Sequence, residues 1–123
     1  GRSKKSILLM GALYFADEIG QLKKQLAYAK KRGVTVRLIT QKSIRWKDGD
    51  LDILGQLSPV ASEVKVYGPP YSKSVIVDDR EVLMVFSRVE GDMPDEDSII
   101  AIWIPNTIVA SSLASVFNAV WNT

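Results

Sequence analysis

The sequence predicts an α/β fold, a mixed, largely parallel β-sheet with helices on both faces. A short apolar run at residues 6–10 is followed by helical periodicity over 16–32 and by a β-branched, alternating run at 34–40. A strand, an amphipathic helix and a strand in this order form a βαβ unit, which implies parallel pairing and a right-handed crossover. Further strand patterns and a closing helical stripe supply the rest of the sheet and a helix for its second face.

The helix after the first strand is the best-defined element. Its apolar positions recur at helical spacing: Phe15, Ile19, Leu22, Leu26 and Ala29. Asp17 and Glu18 lie in the first turn and the cations at 30–32 in the last, which matches the helix dipole. Gly33 is predicted to cap the carboxyl end of this helix.

The middle of the chain alternates between loops and short elements. Residues 41–50 are predicted to form a polar loop, and leucines at 51, 54 and 57 indicate a short helix. A third strand is expected at 63–67, because Gly68-Pro69-Pro70 stops it there.

The last third of the chain completes the sheet. Strand patterns at 74–77 and 81–86 flank Asp78-Asp79-Arg80, which predicts a hairpin turn. Residues 88–97 are acidic and indicate a solvated loop, and a buried strand is expected at 99–104. Asn106 can then cap a final helix with Trp121 beside its apolar stripe. The stripe consists of Val109, Leu113, Val116, Phe117 and Val120.

Length and composition limit the classes of function. A chain of 123 residues with 46% apolar and 24% charged residues is typical of one globular domain. We assign residues 1–5 to a disordered or cloning-derived N-terminus and residues 6–123 to the domain. The absence of cysteine excludes disulfides and thiolate chemistry, and the absence of histidine removes the usual neutral-pH general base and the commonest transition-metal ligand. No cofactor and no metal site are predicted.

Charge and hydropathy indicate a cytoplasmic protein. The net charge of +2 is too small to imply nucleic-acid binding by field alone. Apolar runs such as 99–104 are too short to cross a bilayer, and the N-terminus lacks a secretory signal pattern. With no cysteine in the chain, these features predict a cytoplasmic location and no membrane partner.

The stretch Tyr71-Ser72-Lys73-Ser74-Val75-Ile76-Val77-Asp78 has the outline of a catalytic motif. Its spacing resembles the His-x-Lys-x4-Asp signature of the phospholipase D superfamily, with tyrosine in place of the histidine. The predicted order of elements also resembles one half of the phospholipase D fold over nearly the whole chain, with the motif on the expected strand. The resemblance therefore implies a phospholipase D-like topology.

A second element of that family is also changed. In active members, histidine attacks phosphorus, lysine holds the phosphoryl oxygens, and a Gly-Ser-x-Asn element follows the aspartate. The corresponding positions are Val85, Phe86, Ser87 and Arg88. The phenol of Tyr71 is a poor base at neutral pH. The two changes together predict that the chain is not an enzyme.

Inactive domains of this kind resemble the effector-binding domain of the archaeal TrmB-like transcriptional regulators. The resemblance rests on Asp-Asp-Arg-Glu-Val-Leu at 78–83, the acidic loop, Ala101-Ile102-Trp103 and the closing Phe117-x-x-x-Trp121. It implies binding of a small molecule, a sugar in the characterised cases, with any DNA contact made through a helix-turn-helix domain that is not in this chain. Because active relatives build their site from two facing halves, a homodimer is also implied.

Five residues are candidate ligand-binding positions: Tyr71, Lys73, Asp78, Ser87 and Trp46. Lys73 suits phosphate or carboxylate, and Asp78 suits sugar hydroxyls or, alternatively, stabilises its turn. Tyr71 can stack on a ligand ring or pack the vacated site. Trp46 can be a sugar or base platform, or it can hold its loop on the core.

Other patterns have plainer explanations. Trp103 and Trp121 are expected in the core or at an interface. The acidic loop lacks the spacing of a calcium loop. A set of cations forms either solvated surface or a nucleic-acid patch. The set consists of Lys23, Lys24, Lys30, Lys31, Arg37, Lys42, Arg45 and Lys47.

Three functions are compatible with these features. The first is a non-catalytic sensing and dimerisation domain of a transcriptional regulator, with a small-molecule effector in the degenerate cleft. The second is a homodimeric phosphodiesterase or nuclease-like enzyme with a degenerate site. The third is a structural dimerisation module without a ligand.

Overall fold

A computed structural model describes residues 5–11, 16–46, 49–67, 72–90 and 93–123. The helices are α1 (Ala16–Lys31), α2 (Ile53–Leu57) and α3 (Thr107–Trp121), with short 3-10 turns at Ser58–Val60 and Glu96–Ser98. The strands, in chain order, are β1 (Ser6–Gly11), β2 (Thr35–Thr40), β3 (Ile44–Trp46), β4 (Gly49–Leu51), β5 (Glu63–Val66), β6 (Ser72–Val77), β7 (Glu81–Phe86), β8 (Val89–Glu90), β9 (Met93–Pro94) and β10 (Ile100–Ile104).

Six strands form the main sheet, in the order β10-β7-β6-β1-β2-β5. Strands β1, β2 and β5 pair in parallel, as the βαβ pattern predicts. The β1–β6, β6–β7 and β7–β10 pairings are antiparallel. The α/β class and the mixed sheet are therefore confirmed. Of the five pairings among the described strands, two are parallel and three are antiparallel, so the parallel character is limited to β1, β2 and β5.

The sheet has a separate apolar core on each face. On one face, α1 and α2 cover a cluster that includes Leu9, Leu38 and Ile53. On the other, α3 places Ala110 and Phe117 against Leu8 and neighbouring strand residues. The helices thus lie on both faces, as predicted. Within the described ranges, no helix has both the length and the apolar character needed to cross a membrane.

Two segments expected to be loops contain short hairpins. The polar segment 41–50 pairs β3 with β4, and the acidic segment 88–97 pairs β8 with β9. Ile44 is buried in the core under α1 and α2, which holds the first hairpin on the domain. At the N-terminus, residues 1–4 lie outside the described residues. Lys5 already belongs to the folded domain, because its carbonyl accepts a hydrogen bond from the Thr35 amide.

Strand β10 departs most clearly from expectation, because it is not buried. It lies at the edge of the sheet, and Ile100 is 60% exposed and Trp103 62% exposed. Among the described strands it pairs with β7 alone, and none of its residues belongs to either core cluster. The core interpretation of Trp103 is therefore wrong. Trp121 does pack as predicted, stacked on Phe117 with ring centroids 5.8 Å apart, whereas Val116 from the same predicted stripe is exposed.

Strand β1 approaches β6 so closely that one position requires glycine. A Cβ atom built on Gly11 would lie 2.4 Å from the Ser72 carbonyl oxygen and 2.7 Å from the Lys73 Cα. Both are backbone atoms, which cannot move without shifting β6. Gly20 on α1 has open space at the same position.

Substitution of these two glycines by alanine is expected to change stability in opposite directions. Gly11→Ala should lower the free energy of unfolding by about 1–3 kcal/mol through overpacking. Gly20→Ala should raise it by about 0.5–1 kcal/mol, because alanine loses less conformational entropy in a helix. Urea denaturation followed by circular dichroism measures both. A Gly11→Ala protein as stable as wild type would contradict the close approach of β1 and β6.

The β6–β7 turn is held to β1 by Asp78. Asp78 and Asp79 both have positive φ, 55° and 53°, and the Arg80 amide donates to the Val77 carbonyl at 3.0 Å. Two consecutive left-handed residues are the pattern of a type I′ hairpin turn. The Asp78 amide donates to the Ser6 carbonyl at 2.8 Å, and its carboxylate accepts the Ser6 amide at 2.9 Å. These bonds favour the interpretation of Asp78 as a turn residue.

Asp78→Ala and Asp78→Asn should therefore differ in stability. Alanine removes the acceptor for the Ser6 amide and tolerates positive φ poorly, at a cost of about 1–3 kcal/mol. Asparagine keeps an acceptor oxygen and tolerates the left-handed conformation, so it should cost less than about 1 kcal/mol. Thermal and urea unfolding of the two variants give the comparison. Equal destabilisation by both would show that the carboxylate's charge, and not its hydrogen bond, matters.

Candidate functional site

Lys73 is a buried cation in the sheet. It lies on β6 opposite Gly11 of β1 and Val85 of β7, and its side chain faces the α1 side. Only 7% of the residue is exposed. Its Nζ lies 2.8 Å from Oε1 of Glu18 in the first turns of α1. A buried ammonium group needs such a partner, because desolvation without compensation is very costly.

The Lys73–Glu18 ion pair lies in the wall of a cavity of about 370 Å³ between α1 and the sheet. The floor is apolar and comes from β1, β6 and β7. Its residues are Ile7, Leu9, Val75, Val77, Leu83 and Val85. Along α1 the wall also carries the amides Gln21 and Gln25. Cavities of about 300–1,000 Å³ with an apolar lining and a few polar groups are typical of small-molecule sites.

The donor and acceptor groups of this cavity define what it can hold. Lys73 donates, Glu18 accepts, and the two glutamine amides do both. The apolar floor suits the less polar face of a ring, while the polar wall suits hydroxyl or carboxylate groups. The arrangement can bind and orient a small polar molecule.

Ser87 lies near this cavity, at the end of β7. It follows Val85, the cross-strand partner of Lys73, by two residues. Its Oγ is buried and has no hydrogen-bond partner among the described residues. A buried hydroxyl without a partner is an available donor and acceptor. Ser87 lies at the same end of the sheet as Lys73.

Phe86 does not close the cavity, although it replaces a small residue of the family motif. It pairs with Ser72 in register, so its side chain lies on the α3 side of the sheet, away from Lys73. Val85, in contrast, lines the cavity. Val85 therefore adds apolar surface to the cavity floor, and Phe86 leaves the cavity volume open.

The structure does not bring all the candidate residues together. Asp78 is five residues along β6 from Lys73, roughly 17 Å at the rise of a β-strand, and its carboxylate is bonded to Ser6. Trp46 ends strand β3 in the β3–β4 hairpin, and its side chain lies outside the described part of the structure. Tyr71 also lies outside the described residues. Lys73 and Ser87 are the two described candidates that share one end of the sheet.

Three polar residues of the cavity were missed by sequence reasoning: Glu18, Gln21 and Gln25. They recur at spacings of three and four along α1, beside the apolar stripe that contains Leu22 and Leu26. Positions so spaced lie on one helix face. This polar stripe beside the buried stripe is the sequence signal that indicates a polar wall. From the sequence, Glu18 is interpreted only through the helix dipole.

The cations considered as a nucleic-acid patch do not form one surface. Arg37 lies on the α3 side, 4.3 Å above the Trp121 ring and 3.8 Å from Glu63. Lys30 lies on the opposite side of the sheet, where its Nζ donates to the Ala61 carbonyl. The side chain of Arg45 and the whole of Lys47 are outside the described residues. The described members therefore favour separate local roles.

Comparison with known proteins supports the fold. No protein-family model and no curated protein match the chain. Among solved structures, it is similar to Nuc from Salmonella typhimurium, a phospholipase D family member. The TM-score is 0.70 and the identity 24%, over 98% of this chain and 80% of that one. It is similar to NucT from Helicobacter pylori with a TM-score of 0.64 and 15% identity, over 93% and 77% of the two chains.

A third similar structure is TrmBL2, described as an archaeal chromatin protein with a novel mode of DNA binding. The TM-score is 0.65 and the identity 17%, and the match covers 96% of this chain but 44% of TrmBL2. Identities at this level establish the fold alone. The topology, the placement of the motif on β6 and these similarities agree, so the chain has a phospholipase D-like α/β fold that resembles TrmB-like proteins.

Proposed function

We propose that this chain is a non-catalytic domain that senses a small molecule and dimerises within a transcriptional regulator. The observation that carries the proposal is the ion pair between the buried Lys73 and the partly exposed Glu18 in the wall of an open cavity. Such a pair costs desolvation energy and adds little stability by itself. Hydrogen bonds from a polar ligand to Lys73 and Glu18 would explain why this ion pair is present.

The chemistry of the site supports binding over catalysis. The family nucleophile position is Tyr71, and the chain contains no histidine that could replace it. Val85 and Phe86 stand where the family has glycine and serine. The carboxylate of Glu18 also occupies one donor direction of Lys73 at 2.8 Å. An incoming phosphodiester would have to compete with that carboxylate for the lysine, whereas a neutral polyol can bond to both groups.

The regulatory context comes from the similarity to TrmBL2, an archaeal chromatin protein that binds DNA. This chain matches less than half of that protein, so DNA contact in our proposal belongs to a helix-turn-helix domain outside the matched part. The effector we favour is a sugar or another small polyol, because amide and carboxylate groups beside an apolar floor suit hydroxyls and a ring face. The proposed regulator acts in the cytoplasm, in line with the absence of cysteine.

Thermal-shift screening with sugars, phosphorylated sugars and nucleotides tests the sensing function. A true effector at about one hundred times its Kd should raise the Tm by roughly 10 °C for a domain of this size. Lys73→Met should reduce the affinity for that effector at least tenfold, because it removes the buried donor. The protein should still fold, since methionine replaces the buried stem and Glu18 remains partly exposed to water.

Lys24→Met is the matched control, because Lys24 is exposed on α1 away from the cavity lining. It should leave the shift unchanged. If no compound stabilises the wild-type chain, the sensing function fails and the structural dimerisation module remains. If both variants lose the shift equally, Lys73 is not the anchor.

Hydrolysis assays test the non-catalytic part of the proposal. We expect no turnover of a generic phosphodiester such as bis-p-nitrophenyl phosphate, or of single- or double-stranded DNA, above the rate of a buffer blank. Without histidine and the Gly-Ser element, the chain lacks the groups through which the active family members form a phosphoryl intermediate. Hydrolysis by the wild-type chain that Lys73→Ala abolishes and Lys24→Ala preserves would instead establish the phosphodiesterase function.

A further inference from the structure

Strand β10 has an open edge and two exposed faces. It pairs with β7 on one side, and in the described part of the chain nothing pairs with its other edge. Its side chains alternate between the two faces, and those on both sides are exposed: Ile102 is 45% exposed on the α3 side and Trp103 62% on the α1 side. An open, apolar strand edge is a template for pairing with another strand.

Strand β10 contains no charged residue and no proline that would protect its free edge. Natural sheets guard free edges with charged side chains, proline or a bulge. Residues 98–123, which include β10 and all of α3, contain no charged side chain, and Pro105 follows the strand without interrupting it. A partner strand with the same composition therefore meets no like-charge repulsion along this edge.

We propose that two copies of this chain pair antiparallel through β10, extending the six-stranded sheet across a two-fold axis at Ile102. Both faces of β10 are exposed, so a partner that covers them must have a helix layer on each side of its own sheet. A second copy of this chain fits, because its sheet has helices on both faces. This inference rests on the proposed function, because it identifies the surface through which the proposed dimer forms. Dimers that close through the Lys73 end of the sheet are an alternative outcome of the test.

The register follows from the residues of the strand. In antiparallel pairing, directly opposed side chains share a face, so the axis must pass between a residue and its own copy. Centring on Ile102 is the choice that pairs every residue of β10 with another residue of β10. It opposes Ile100 to Ile104 of the second copy and Ala101 to Trp103. The small alanine leaves room for the indole, whereas centring on Trp103 would oppose two bulky rings.

This arrangement connects the dimer to the ligand cavity. Trp103 and Ala101 are the cross-strand neighbours of Leu83 and Val85, which line the cavity. A two-fold axis perpendicular to the sheet keeps both cavities on one face and both α3 helices on the other. A ligand that shifts β7 would therefore act on the Trp103–Ala101 contacts of the dimer directly. This provides a short route from the bound effector to dimer geometry.

Cysteine cross-linking tests the surface and the register, because the chain has no cysteine of its own. Opposed Cβ atoms in antiparallel strands are about 4.5–5.5 Å apart, within reach of a disulfide or a short bifunctional thiol reagent. Ile102→Cys alone should give a cross-linked species of twice 13.6 kDa on oxidation. Ala101→Cys and Trp103→Cys should each stay largely uncross-linked alone but link efficiently when mixed.

The exposed residue Ile108, at the start of α3, provides the control position. If Ile108→Cys cross-links as well as Ile102→Cys, the specific pairing is overturned. Efficient linking of Ala101→Cys or Trp103→Cys alone overturns the Ile102-centred register.

Sedimentation equilibrium provides an independent measurement that needs no ligand. Ile102→Lys places two ammonium groups opposite each other at the axis, so it should weaken dimerisation at least tenfold, while Ile108→Lys should not. Circular dichroism confirms that both variants fold. A wild-type chain that sediments as a 13.6 kDa monomer at high micromolar concentration overturns the inference, as does a dimer that Ile102→Lys leaves intact. A thermal shift that persists in the Ile102→Lys monomer preserves the proposed sensing function even so.

Discussion

The structure depends on the position of β1, which pairs on both of its edges and packs on both of its faces. It is parallel to β2 and antiparallel to β6, so it joins the βαβ half of the sheet to the hairpin half. Leu9 enters the core under α1, and Leu8 enters the core under α3. Gly11 ends the strand where its backbone touches β6 beside Lys73. The close approach of these two strands fixes where the buried lysine lies.

That placement explains why a charged residue can persist inside an apolar sheet. Lys73 lies where α1 begins to cover the sheet, so its Nζ reaches the Glu18 carboxylate while its stem remains buried. The carboxylate is partly exposed to water, which lowers the cost of keeping both charges. The neighbouring strands β6 and β7 extend beyond α1, and the uncovered sheet becomes the cavity floor. The cavity thus arises from incomplete coverage of one face of the sheet.

The same incomplete coverage continues to β10, one strand further from the centre. Leu83 is shared by the two features, because it lines the cavity and opposes Trp103 in register. The proposed ligand site and the proposed dimer surface therefore lie on adjacent strands of a single sheet. In a domain with a rigid sheet, a small displacement at one of these surfaces is transmitted to the other through packed side chains. This proximity is the structural basis of the proposed coupling between cavity occupancy and dimer geometry.

The sequence by itself determined the elements with local signals: α1 through its 3.6-residue stripe and charged ends, the Asp78 turn, and α3, which begins after the Asn106 cap. It also showed that Lys73 and Asp78 have the spacing of the phospholipase D signature, with Tyr71 at the histidine position. Tertiary structure decided which faces these residues occupy. The apolar run at 99–104 could not show whether its strand lies in the centre of the sheet or at an edge. The hydrophobic pattern of a strand reports which of its residues are apolar, and not which strands lie beside it. Likewise, Glu18 and Lys73 are 55 residues apart, and only the packing of α1 on β6 brings them together.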